Sequence, residues 1–183
     1  MDATGPLPST MTAAELAHVS YPDKVTELIR GRLVVHEPPG TRHGAISSRL
    51  THCLAAFVYP NRLGVVFAQD TGFHIESDPD TVRAPDVAFL AQDRASAIHD
   101  RGYARIAPDL VAEVVSPDDR PGDVRAKVQN WLDAGVKLVW VVDPRRRVAA
   151  VHRADGSVEL DATRLDGGMV LPGFTCAVDD LLV

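Results

Sequence analysis

Glu113 is an acid in the middle of an apolar run, Leu110-Val111-Ala112-Glu113-Val114-Val115. Alternate residues of a strand share a face, so Glu113 lies with Val111 and Val115 while Ala112 and Val114 point the other way. A carboxylate so placed must be paired, protonated or metal-bound, because burying a lone charge costs several kcal/mol. Asp86 poses the same problem at the start of Val87-Ala88-Phe89-Leu90. A cation stands nearby in the sequence. Val124, Val128, Trp131 and Leu132 mark the inward stripe of a helix, and at about 100° per residue Lys127 falls roughly 40° from Trp131. Lys127 therefore leans toward the sheet that carries Glu113, and two strand acids with one lysine make a small site of mixed charge.

Other residues compete for roles at such a site. His43 opens an apolar helical stripe and is expected to point inward, as a core or capping histidine or as a contact to a phosphate or water. Glu27 is the only acid in its strand, either a surface charge or a further member of the acidic site. Asp70, in Phe67-Ala68-Gln69-Asp70-Thr71, is a weaker candidate. Arg145-Arg146-Arg147 falls in a turn, where a basic run is usually solvated. Trp131 and Trp140 follow the apolar register of their elements and are expected in the core. The sequence has no GxxxxGK, GxGxxG, HExxH or GxSxG motif and no EF-hand loop. None of its seven histidines is paired at helical i, i+4 spacing, which leaves a zinc site on one helix unsupported.

The elements that must position these residues come from a chain of 183 amino acids with 45% hydrophobic and 24% charged side chains. That is enough apolar material for one domain without a disulfide or metal staple, and it excludes wholesale disorder. The formal net charge of −6 excludes a polycation that coats DNA or an anionic membrane, leaving a local groove or a recruited cation as the route to phosphate. Cys53 and Cys176 form no CxxC and are expected as small buried hydrophobes in a reducing compartment. No apolar run approaches a membrane span, and the first residues lack the basic and apolar parts of a signal peptide, so a cytoplasmic protein is expected.

Residues 1–20 read as a lead-in with a short helix, Thr12 and Glu15 forming a capping box, and 21–183 as a single domain. Val25–Ile29 and Leu33–Val35 flank Gly31-Arg32 as a hairpin that Pro38-Pro39-Gly40 ends. Ile46, Leu50, Cys53, Leu54 and Phe57 give one face of a helix over Arg42–Tyr59, stopped by Pro60. Gly64–Ile75 reads as one bent or two short strands, followed by strands at Val87–Leu90 and Leu110–Val115, a helix reaching Ala134 with Gly135 as its cap, and strands at Leu138–Val142, Val148–His152 and Val158–Leu160. A Pro172-Gly173 turn and a tail of mixed polarity close the chain. The order predicts an α+β domain with two long helices packed on a sheet.

The series Pro85-Asp86, then Glu113 in DLVAEVVSPDD, then Lys127 resembles the PD-(D/E)XK nuclease superfamily. More narrowly, TELIRGRLV, RHGAISSRL, VVFAQDTGFHI, VRAPDVAFLA, PDLVAEVVSPDDRPGDVRAKVQNWLDAGVKLVWVVDP and LPGFTCAVDDL resemble the Uma-two family of small bacterial restriction-endonuclease-like proteins, from about residue 21 to the end. The resemblance implies a restriction-endonuclease-like mixed β-sheet flanked by helices, with Mg²⁺ (or Mn²⁺ in its place) held by Asp86 and Glu113. It implies DNA as substrate, Lys127 assisting the attacking water or the pentavalent state, and a homodimer where both strands are cut. In the superfamily pattern the lysine comes two residues after the acid, where this chain has Val115; Lys127 is read as that lysine displaced onto the next helix. Val115 and the weak basic character motivate a rival expectation, a catalytically degenerate scaffold or DNA-binding component that keeps the nuclease fold; a metal-dependent hydrolase of small phosphoesters is a third.

Overall fold

The computed structural model describes residues 10–19 and 21–183; half of the lead-in expected at 1–20 therefore lies outside the described residues. Within it, Thr12 caps helix α1 (Ala13–Leu16): its hydroxyl accepts the Glu15 N–H while the Glu15 carboxylate accepts the Thr12 N–H at 2.7 Å. Strands β1 (Val25–Ile29) and β2 (Arg32–His36) pair antiparallel as the sequence predicts. The turn between them uses Gly31 at φ +76°, a conformation open to a residue without Cβ.

Helix α2 (Thr41–Val58) follows, then β3 (Gly64–Phe67), β4 (Phe73–Glu76), β5 (Thr81–Arg83), β6 (Val87–Ala91) and a 3-10 turn at Gln92–Ala97. Strand β7 (Leu110–Val114), helix α3 (Pro121–Asp133) and strand β8 (Leu138–Asp143) form one crossover unit. The chain ends through β9 (Val148–Arg153), β10 (Val158–Ala162), β11 (Arg164–Asp166), β12 (Thr175–Ala177) and α4 (Val178–Leu181). Gly64–Ile75 thus resolves into two strands, and they belong to different sheets. Strand β5 and the closing β11–β12–α4 unit have no counterpart among the elements expected from sequence.

The main sheet has six strands in the order β10-β9-β8-β7-β6-β3 and is mixed: β7 and β8 are parallel, and every other neighbouring pair is antiparallel. A second, four-stranded sheet has the order β2-β1-β5-β4, and β11-β12 makes a short third. This is an α+β fold with helices on both faces of a mixed sheet, divided into more sheets than the sequence suggests. Only residues 84–86 separate β5 in the small sheet from β6 in the large one.

The strand alternation read from sequence decides which helix each face meets. Ile46, Leu50, Leu54 and Val58 of α2 pack on Val87, Phe89, Leu110, Ala112, Val114 and Trp140. Each such fully buried aliphatic side chain contributes about 1.5–3 kcal/mol. The opposite face, through Ala88, Val111, Val139 and Val141, meets Val128 and Trp131 of α3. Both tryptophans are fully buried. Helix α3 starts with Pro121 at its first position and ends in a Schellman turn: Gly135, at φ +94°, lets the Val136 N–H reach the Trp131 carbonyl at 3.0 Å. Cys53 and Cys176 carry free thiols; burial, with Cys53 alongside, pushes the Cys176 thiol up to about 12.

Candidate active site

Glu113 sits on the face of β7 that α3 covers, and it is 7% exposed. Both of its oxygens are engaged from that helix: Oε1 accepts the Trp131 indole N–H at 2.8 Å, and Oε2 accepts from Lys127 Nζ at 2.9 Å. Lys127 and Trp131 are one helical turn apart, so they meet the same carboxylate from one face of α3. The inward lean read for Lys127 is the position it takes. Burial pushes the Glu113 carboxyl up, Lys127 opposes this and nearby Asp86 adds to it, with the balance at about 7. Burial alone would lower the Lys127 ammonium, but Glu113, Glu27 and Asp86 outweigh it and hold the pKa above its ordinary value.

Asp86 lies just before β6, whose register pairs Val87 with Ala112; one step further places Asp86 opposite Glu113. Its Oδ2 accepts the Val114 N–H at 2.7 Å and stands 3.1 Å from His43 Nε2. The partner is a distant strand rather than the local turn. His43, in the first turn of α2, is turned inward with 10% of its side chain exposed. Burial lowers the His43 pKa, but the bond to Asp86 and the charge of that carboxylate outweigh it and raise the ring's affinity for a proton.

Glu27 is not a surface charge: its side chain is 3% exposed. Oε2 accepts from Arg83 Nη1 at 2.9 Å and lies 3.2 Å from His36 Nε2, while Oε1 accepts the Ala84 N–H at 2.9 Å. Burial pushes the carboxyl up, but Lys127, His36, Arg83 and the Ala84 N–H together bring it down to about 2. The Ala84 carbonyl in turn lies 3.5 Å from Lys127 Nζ. One residue, Ala84, two positions before Asp86, is thus held at its N–H by Glu27 and at its C=O by Lys127, on the two successive peptide units that flank it.

The sequence reading missed three contributors: Trp131 as a donor to Glu113, and Arg83 and Asn130. Arg83 is 6% exposed and donates to Asn130 Oδ1 at 2.6 Å as well as to Glu27; its Nε has no partner among the described residues. The signal for Trp131 was its i+4 spacing from Lys127. Arg83 offered only its place beside Ala84-Pro85-Asp86, with no strand expected there. Arg146 and Arg147 are tied to Asp161 and Asp179 at 2.7 and 2.8 Å, away from this cluster.

Asp86, Glu113, Lys127, His43, Glu27 and Asp70 all border one cavity of about 1010 Å³. Among the described residues no three His, Cys, Asp or Glu side chains come together as a ready cage for an ion. The donor set still suits a hard divalent cation. Mg²⁺ keeps several waters and is held by one or two carboxylates plus substrate phosphate. Asp86 Oδ1 receives no hydrogen bond from the described protein, and each carboxylate oxygen of Glu113 keeps a lone pair beyond the one it uses. Among the described residues no helix is long and apolar enough to cross a membrane.

The architecture matches a crystal structure of a "putative nuclease belonging to DUF820" from Anabaena variabilis ATCC 29413, with a TM-score of 0.78 over 93% of this chain and 97% of that one. At 22% identity the match establishes a shared fold. No curated protein matches the chain. Residues 13–179 match the Uma2 family, described as "Putative restriction endonuclease", and the chain belongs to that family.

Proposed function

We propose that the chain is a metal-dependent DNA endonuclease that hydrolyses phosphodiester bonds. One observation carries this reading: Asp86 and Glu113, buried acids from neighbouring antiparallel strands, open into a single cavity with the Lys127 ammonium bonded to Glu113. Membership of a family described as restriction endonucleases supports DNA as the substrate. Asp86 and Glu113 would hold Mg²⁺, with Mn²⁺ able to substitute. The ion would supply an activated water and offset charge growing on the scissile phosphate.

The rest is the work of this chain's own side chains. The Val114 N–H and the His43 ring orient Asp86; the Trp131 indole orients Glu113. Lys127 Nζ, already beside Glu113, brings a positive charge to the phosphate oxygens without a change of backbone. Glu27 acts on this site by holding the Ala84 N–H, since its own oxygens are taken by Arg83 and that N–H.

The test is nicking of supercoiled plasmid, whose underwound duplex opens unpaired segments, with Mg²⁺ or Mn²⁺ by the parent and by Asp86→Ala, Glu113→Ala and Lys127→Ala. Metal-dependent nicking lost in all three is the expected result. Nicking that survives Lys127→Ala alone removes the role given to the lysine, and nicking that survives loss of either acid overturns the metal assignment. A parent inactive with both metals would favour a catalytically degenerate member of the fold, as Val115 at the usual lysine position suggests.

A further inference from the structure

The acids lie at the bottom of the cavity, while Pro38, Pro39, Asp118, Asp119 and Asp123 are exposed at its mouth. Its walls differ in character from its floor. On one side stands the β1–β2 hairpin, whose residues Val25, Ile29 and Val34 line the cavity together with Glu27. The hairpin's other face, through Leu28 and Leu33, packs on α1, so the two faces have separate tasks. Opposite lie Val124 and Ala126 of α3. Val25, Ile29, Val34 and Val124 are only partly buried, and no described side chain fills the gap between the two walls.

From this slot, and resting on the nuclease reading above, we infer that the substrate is an unpaired DNA strand, whose bases enter between the hairpin and α3 while its phosphate meets Asp86 and Glu113. Three features carry the inference. A volume of about 1010 Å³ is that of a pocket for a compact organic ligand, roughly 300–1,000 Å³, and a duplex must stay outside it. Glu113 and Asp86 line that cavity while only 7% and 9% exposed, so a phosphate has to enter it to meet them. Unpaired bases, whose faces are not already stacked in a duplex, can cover the apolar walls.

The charge of the lining points the same way. Eight carboxylates border the cavity against one lysine and one arginine, and both cations are paired to floor acids. A duplex brings one negative charge per about 1.7 Å of its axis, a single strand one per about 3.4 Å. The acidic mouth therefore penalises a duplex about twice as heavily per unit length, while one strand carrying a divalent ion can pass.

The experiment measures fluorescence anisotropy of a labelled oligonucleotide in Ca²⁺, with the single strand, its blunt duplex and the same duplex carrying an unpaired tail, and repeats the set as cleavage in Mg²⁺. The single strand and the tailed duplex are expected to bind at least 10-fold more tightly than the blunt duplex, and cleavage should fall in the unpaired part. Val34→Trp on the hairpin wall and Ala126→Trp on the helix wall should each weaken single-strand binding about 10-fold. Equal or tighter binding of the blunt duplex, binding of neither, or indifference to both tryptophans overturns the inference. Single-strand binding without cleavage would instead retain the slot and count against the nuclease reading.

Discussion

Two acids four residues apart on β7 and its lead-in live under opposite rules. Asp109, just before the strand, is 1% exposed and over-supplied with partners: Lys137 and Arg94 each at 2.8 Å and the Ala91 N–H at 2.9 Å. Burial pushes its carboxyl up, but these groups more than reverse that and leave it below the usual carboxylate range. Glu113, inside the strand, has one lysine and one indole and faces a second acid, and its carboxyl is raised. The lesson is that burial alone does not mark a functional acid. A carboxylate with surplus cations serves the fold; one short of positive charge and open to a cavity is poised to take a cation.

The largest effect that tests this contrast is on turnover. Glu113→Ala should lower metal-dependent plasmid nicking by about 10³-fold, while Asp109→Ala leaves the rate per folded molecule within about 2-fold. Equal losses would erase the distinction. Urea denaturation should then show the reverse ranking. Asp109→Ala, which strands the Ala91 N–H and two cations, should cost about 2–3 kcal/mol, and Glu113→Gln less than about 1 kcal/mol.

The pH dependence of stability in metal-free protein should differ in sign. Asp109 has a lowered pKa, so its contribution is present above its ordinary value of 3.8 and is lost as the pH falls through the depressed value. Glu113 has a raised one, so its contribution is present below 4.5 and is lost as the pH rises through about 7. Denaturation of Asp109→Asn and Glu113→Gln against the parent from pH 3 to 9 checks this: the first should close on the parent in acid, the second gain on it toward pH 7 and above. The smallest effect belongs to Trp131→Phe, which keeps the ring and removes the donor. It should cost about 1 kcal/mol of stability and about 10-fold in Mn²⁺ affinity measured by calorimetry.

Much of this contrast is visible in the sequence, and the reasons are physical. Glu113 stands out because strand alternation forces it into an apolar face, and Lys127 because its helical angle from Trp131 turns it inward. The two long helices and most strands of the main sheet announce themselves by period. Strand β5 does not: its three residues, Thr81–Arg83, have no period to read, its pairing with the short β4 shifts register, and its link to the hairpin, Leu28 with Val82, spans 54 residues. Arg83 went unseen, and Glu27 stayed open between two readings, for the same reason, since each explains the other only after the small sheet has formed. The closing β11–β12–α4 unit has elements of three or four residues, too short for either period to appear.

The contacts that build the site have a kinetic consequence. They close over very different lengths of chain: Lys127 joins Glu113 across 14 residues and Trp131 joins it across 18, whereas Glu27 reaches Arg83 across 56 and Ala84 across 57. Each doubling of a closed loop costs about 0.6 kcal/mol of chain entropy, so the Glu27 contacts carry a handicap of about 1 kcal/mol over the Lys127 contact before any bond forms. The β7–α3–β8 unit can therefore assemble its half of the site early, from local contacts, while the hairpin arrives late and latches onto a partner already in place. Early folding intermediates of this chain would hold Glu113 and Lys127 together and leave Asp86 loose.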